Sequence, residues 1–243
     1  MTGTYHGYAR VDEEIDGCPV TLVAPLRPIP GRCWIWRAEF FDIFQDFDVE
    51  MLSRGWHLAF MGVGNTFGCP AAMTHFDAFY GELVANRGYS PRPVLEGLSR
   101  GGLYVYAWAA ANPGKVGAIY GDNPVCDFKS WPGGRGLGPG SPPDWEELKR
   151  CYGFRDDKEA LAWAGNPVDS LEPIVREEIP VVHVFGDADE IVPWPENTGL
   201  LASRITALGG SIELVRKPGQ RHHPHGPPDV PALASWIESH SRT

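Results

Sequence analysis

The chain has 243 residues, 43% of them hydrophobic and 21% charged, with a formal net charge of −10 at pH 7. That length and balance suit a single α/β domain over residues 1–243 with a sizeable core, and the acidic excess leaves no basic stripe for nucleic-acid phosphates. No apolar run approaches the ~18 residues a membrane span needs. Met1-Thr2-Gly3-Thr4-Tyr5-His6 lacks the basic and apolar regions of a secretory leader, which favours a cytoplasmic setting.

In chain order, Tyr5–Val11 and Pro19–Ala24 are predicted as opening strands parted by a turn at Asp16-Gly17. Cys33–Trp36 is a short apolar strand after Pro28-Ile29-Pro30-Gly31, and Trp56–Val63 is the continuous apolar run of a covered central strand. Phe76–Asn86 has helical spacing. Arg92–Leu98 is a strand, and Leu103–Ala111 is a helix apolar nearly all round. Val116–Tyr120 is the next strand. Residues 125–180 then break the rhythm with a Gly/Pro-rich stretch from Trp131 to Pro143 and short helices at Asp144–Cys151, Asp157–Ala164 and Leu171–Glu177. This segment is read as an insertion lying over the active site like a lid. Pro180–Phe185 and Ser211–Arg216 are the last strands, with helices Asn197–Leu208 and Val230–Ser239. The five cysteines are scattered without a CxxC, which points to buried free thiols.

The most informative segment is Gly97-Leu98-Ser99-Arg100-Gly101, set between a strand and a helix. A serine flanked by glycines at i−2 and i+2 in that setting has the pattern of a nucleophile elbow, in which the side chain is forced out of the top of the sheet. A serine hydroxyl is too weak a nucleophile alone, so it needs a general base and an acid to orient that base. In a parallel α/β sheet such groups gather at the carboxyl ends of strands. Gly186-Asp187-Ala188-Asp189-Glu190-Ile191-Val192-Pro193 follows one late strand and offers Asp189, with Asp187 as the alternative. Gly219-Gln220-Arg221-His222-His223-Pro224-His225 follows the last strand and offers His222, with His223 and His225 as alternatives. The histidine cluster also invites a metal, since His223 and His225 have the right chemistry to ligate one. No third ligand is assignable from the sequence, and no metal site is expected. His57 and His183 lie within strand runs and read as hydrogen-bonded core histidines.

Serine, acid and histidine in this order resemble the α/β-hydrolase superfamily, specifically its small single-domain serine esterases and peptidase-like hydrolases, over about Val20 to Ile237. The resemblance implies a mostly parallel sheet of about eight strands with helices on both faces, and no cofactor. It implies Ser99, Asp189 and His222 as the triad. It also implies an oxyanion hole made by the Arg100 N–H and a second N–H from Trp36 or Arg37, where this chain has Trp34-Ile35-Trp36-Arg37 in place of the usual His-Gly. The Arg100 side chain reads either as a buried partner of Glu96 or Asp122 or as a guanidinium facing the reacting centre, an elbow feature shared with glucuronoyl esterases. Nine tryptophans are many for this length, and Trp34, Trp36, Trp131 and Trp194 fall near the expected rim, where flat aromatic faces suit sugar rings.

The expected function is hydrolysis of a carboxylic ester through an acyl-enzyme, on a small-molecule or carbohydrate substrate carrying an acetyl group or a uronate methyl ester. The rivals are a lactonase, a thioesterase, a non-catalytic binding protein of the same fold, or a prolyl-oligopeptidase-type peptidase. The last would normally carry a propeller domain, for which 243 residues leave no room.

Overall fold

A computed structural model describes residues 2–242. Thr2–Tyr5 (β1), Tyr8–Ile15 (β2) and Cys18–Ala24 (β3) make an antiparallel meander. The expected Tyr5–Val11 strand is therefore two strands, folded back at His6-Gly7, where both residues have positive φ (48° and 87°). Trp34–Arg37 (β4), His57–Met61 (β5), Val94–Leu98 (β6), Ala118–Asp122 (β7), Val181–Gly186 (β8) and Glu213–Lys217 (β9) complete the sheet. The order is β1-β2-β3-β5-β4-β6-β7-β8-β9, parallel from β5 to β9 and one strand more than expected.

The helices are Asp46–Ser53 (α1), Pro70–Gly81 (α2), Gly101–Ala111 (α3), Pro142–Tyr152 (α4), Asp157–Ala162 (α5), Glu172–Arg176 (α6), Thr198–Ala207 (α7) and Val230–His240 (α8). Helix α1 was not foreseen; α2 begins earlier than its periodicity suggested and runs into a π-helical turn at Glu82–Asn86. Two apolar layers enclose the sheet, because alternate strand residues point to opposite faces. Ile35, Val94, Val182 and Val184 pack on one side with Phe47 and Met51 of α1 and Leu233 and Ile237 of α8. Trp34, Trp36, Leu95 and Ile119 pack on the other with Phe76 and Phe79 of α2, Tyr104 and Trp108 of α3, and Leu201 of α7. This covering of both faces puts the ends of β6, β8 and β9 on one rim, where chemistry has access to solvent.

His183 sits inside this second layer, fully buried between the Tyr106 hydroxyl (2.8 Å) and Thr198 Oγ1 (3.0 Å). Burial depresses its pKa from 6.5 to about 3. Within that window the unfolded chain takes up a proton the folded chain refuses, so stability falls as pH drops from 6.5 toward 3. Replacing His183 with Gln is expected to flatten the dependence of the urea midpoint on pH across that window. Parallel profiles for the two proteins would refute the assignment.

Candidate active site

The elbow begins with a backbone collision that a side chain would cause. A Cβ on Gly97 would stand 2.8 Å from the Gly101 carbonyl oxygen, and one on Gly102 would stand 2.5 Å from the Val125 carbonyl oxygen. Gly101 itself is less confined, with Glu39 Cβ at 3.5 Å, so the tight approach expected at i+2 falls one residue later. Ser99 takes φ = 48°, a conformation costly for a residue with a Cβ. It is held there by its N–H to the Asp122 carbonyl (2.9 Å) and by its carbonyl, which accepts from the N–H groups of Gly102 (3.0 Å) and Val125 (2.8 Å).

Ser99 Oγ lies 2.9 Å from His222 Nε2, and His222 Nδ1 lies 2.6 Å from Asp189 Oδ2. The second Asp189 oxygen accepts from the N–H groups of Ile191 and Val192, both at 2.9 Å. An ionised carboxylate only accepts, so the proton on the imidazole sits at Nδ1 and the Nε2 lone pair faces the serine hydroxyl. Asp189 and His222 are buried while Ser99 is half-buried at the pocket floor. Asp187, the alternative acid, faces away. It accepts from Gly219 N–H (2.6 Å) and Arg216 Nε (2.6 Å), and both hold its carboxyl below the usual range.

Two residues that the sequence did not single out as site residues position the histidine loop. Asn123, buried with φ = 42°, donates from Nδ2 to the His222 carbonyl (2.8 Å) and accepts at Oδ1 from Gly186 N–H (2.8 Å). Asp122, at the end of β7, accepts from His225 Nδ1 (2.9 Å), Gly226 N–H (2.5 Å) and the Tyr120 hydroxyl (2.9 Å), with Lys217 Nζ at 3.6 Å. Burial would raise the Asp122 carboxyl, but His225, Lys217 and the Gly226 N–H outweigh it and leave the pKa lowered. The signal for both was the Gly121-Asp122-Asn123-Pro124 segment directly after a strand.

Over the triad lies a cavity of about 240 Å³ lined by Phe40, Ile43, Phe44, Ser99, Arg100, Trp131, Asp144, Ile191 and the three loop histidines. Larger depressions of about 500, 340 and 370 Å³ lie elsewhere, against α6 to α8, beside Trp163 and between Arg155 and Ala162, and none of the three touches Ser99. The Arg100 side chain pairs with Glu39 at 2.9 Å, not with Glu96 or Asp122, and its guanidinium lies over the Phe40 ring at 5.0 Å. Burial raises the Glu39 carboxyl and Arg100 opposes that rise.

Several expected rim residues are core residues instead. Trp34 and Trp36 lie within β4, stacked on each other at 5.4 Å, and the Trp34 indole N–H is spent on the Ser90 carbonyl (2.9 Å). Neither offers a face to a substrate, because Trp34 packs on Phe79 of α2 and Tyr89, and Trp36 on Phe76 and Phe79 of α2 and Trp108 of α3. Arg37 is fully buried, ion-paired with Asp48 and 3.7 Å from Glu96, and donates to the carbonyls of Phe40 (3.0 Å) and Ile43 (2.6 Å). The backbones of Trp36 and Arg37 run in the ladders to β5 and β6, so their N–H groups belong to the sheet. Trp194 packs on Phe185 at 5.2 Å, outside the cavity. Of the four tryptophans, Trp131 alone reaches the pocket.

No family model matches the chain, and no curated protein matches it in sequence. Solved structures do. The chain is similar to a Mycobacterium tuberculosis puromycin-hydrolyzing peptidase (14% identity, TM-score 0.74), covering 97% of this chain and 39% of that one. It is similar to Porphyromonas gingivalis dipeptidyl peptidase 4 (14%, TM-score 0.72; 96% of this chain, 35% of that one). It is also similar to an acylaminoacyl peptidase solved with a chloromethyl ketone (11%, TM-score 0.70; 95% and 41%). The chain thus spans well under half the length of these neighbours. Identities this low speak to architecture, and the architecture is the α/β-hydrolase fold.

Proposed function

We propose that the chain is a serine hydrolase working through an acyl-enzyme, with Ser99 as nucleophile, His222 as general base and then general acid, and Asp189 holding the imidazolium. The observation that carries this is the unbroken hydrogen-bond chain from Asp189 through His222 to a serine held at positive φ. In the first step the Ser99 oxygen bonds to the substrate carbonyl carbon while its proton passes to His222 Nε2, and that proton then leaves with the departing amine or alcohol. Water repeats the sequence to release the acid. The oxyanion is stabilised by the Arg100 N–H and by a backbone N–H of the Glu39–Phe40 segment. That segment replaces the β4 donors, since Glu39 N lies 4.0 Å from where a Cβ on Gly101 would be.

An amide or peptide bond has more support as the scissile group than a carbohydrate ester. The neighbours are named as peptidases, and two of the tryptophans expected to stack on a sugar lie inside the core. The pocket walls of Phe40, Ile43, Phe44 and Ile191 suit one apolar acyl or side-chain group. The inserted segment supplies Trp131 and Asp144 to that wall, which supports its reading as a cap.

A fluorophosphonate probe followed by peptide mapping should mark Ser99, and Ser99→Ala should abolish the mark. An intact protein that stays unlabelled would end the hydrolase reading. Aminoacyl and peptidyl p-nitroanilides, tested beside p-nitrophenyl esters, acetylated xylan and methyl-esterified pectin, then decide the bond. Acetate or methanol release without any anilide cleavage would overturn the peptidase preference.

A further inference from the structure

The loop after β9 carries three histidines whose ligand nitrogens lie within 4.8 Å of one another. Their rings meet edge to face, at interplanar angles of 70°, 80° and 75°. We propose that His222, His223 and His225 bind one divalent transition-metal ion of the zinc class, and that the bound ion switches the site off. The switching half rests on the hydrolase reading; the binding half does not.

The carboxylates behind two of the rings point to a ligand. His222 and His225 each give Nδ1 to a buried carboxylate, Asp189 at 2.6 Å and Asp122 at 2.9 Å, and so each turns Nε2 outward as a ligand atom. A carboxylate behind each imidazole is the arrangement that fixes ring orientation and raises basicity in metal sites. For the triad only the Asp189–His222 pair is needed, so the duplicate on His225 is left without a catalytic task. The two carboxylates also supply negative charge near the site, offset in part by Lys217 beside Asp122. Arg100, which lines the pocket, is paired with Glu39. Zinc–nitrogen bonds of about 2.0–2.1 Å in a tetrahedron place ligand nitrogens roughly 3.3 Å apart, so the cluster must contract. His223 can supply that movement, being exposed and held by its stacking on Phe44 at 5.7 Å. Ser99 Oγ, 2.9 Å from the same His222 nitrogen, occupies the lone-pair direction the ion would take, so the hydroxyl must turn aside for the ion to bind. The Nε2 lone pair that takes the serine proton is the one the metal takes, so occupancy and turnover exclude each other.

Titration calorimetry of the full chain with zinc chloride is the direct test. One ion per chain is expected, with affinity lowered about tenfold or more in His223→Ala and in His225→Ala, and about 10–100-fold in Asp122→Asn. Magnesium and calcium, which prefer oxygen ligands, should give no heat. His223 is on the surface, so that variant is informative even if the buried replacements misfold. Equal zinc affinity in His223→Ala and the parent protein would overturn the site. Zinc should also protect Ser99 from the fluorophosphonate, with EDTA restoring labelling. Robust labelling under saturating zinc would refute the switch while leaving the hydrolase reading intact. Histidine-dependent zinc binding in a protein that never labels would uphold the site and sink the hydrolase reading.

Discussion

Ser99→Ala and His222→Ala should each lower kcat by about 10⁴-fold or more, and the double variant should be little worse than either alone. The non-additivity follows from the geometry. Ser99 Oγ and His222 Nε2 are 2.9 Å apart and share one proton, so removing the hydroxyl leaves the imidazole nothing to activate. Removing the imidazole likewise leaves the hydroxyl unactivated. Binding in the pocket and the proposed oxyanion N–H groups would survive in all three variants and set a common residual rate. Steady-state rates on the best substrate of the panel, with far-UV circular dichroism to verify folding, give the comparison. Strictly multiplicative losses would mean that the two residues act in separate steps.

The largest effect on stability should come from Arg37. Its guanidinium is fully buried against Asp48 and Glu96. Burial opposes its charge, but the two acids outweigh that and raise its pKa. The Glu96 carboxyl is pushed well above its ordinary value, by burial first and by Asp48 next, with Arg37 opposing the rise. Arg37→Leu leaves the Asp48 and Glu96 carboxyls in the core without their cation and should cost about 3–5 kcal/mol, read from urea unfolding. Replacing Asp48 and Glu96 with leucine in the same chain should recover most of that loss, because apolar packing commonly matches a buried ion pair. Activity should not return. Arg37 also ties down the carbonyls of Phe40 and Ile43, which belong to the pocket wall, and leucine cannot hold them. Stability and turnover restored together would show that this tether is unimportant.

The meeting of Ser99, Asp189 and His222 was legible because Ser99 and Asp189 follow strongly apolar strands, His222 follows the short last strand, and strand ends in a parallel sheet share a rim. The positions of Trp34, Trp36 and Arg37 were not. A four-residue strand gives too little periodicity to separate its top from the loop beyond, and one residue decides whether an N–H faces a ladder or a substrate. The His6-Gly7 hairpin was hidden because an alternating pattern continues straight through it, and α1 because its eight residues mix acidic and apolar side chains over barely two turns. Pairings such as Arg100 with Glu39 and His225 with Asp122 join residues 61 and 103 positions apart, and charge alone names too many partners at that separation.

The Asn123 amide spans the end of β8 and the loop that carries His222. The strand end that leads to Asp189 and the loop that carries His222 are thereby tied to one small buried amide. Any widening that admits a bulkier guest must come from the opposite jaw, between the Phe40–Phe44 stretch and Trp131. On the proposed reading, proton transfer would fall to the half of the rim that Asn123 ties together, and admission of substrate to the half formed by Phe40–Phe44 and Trp131.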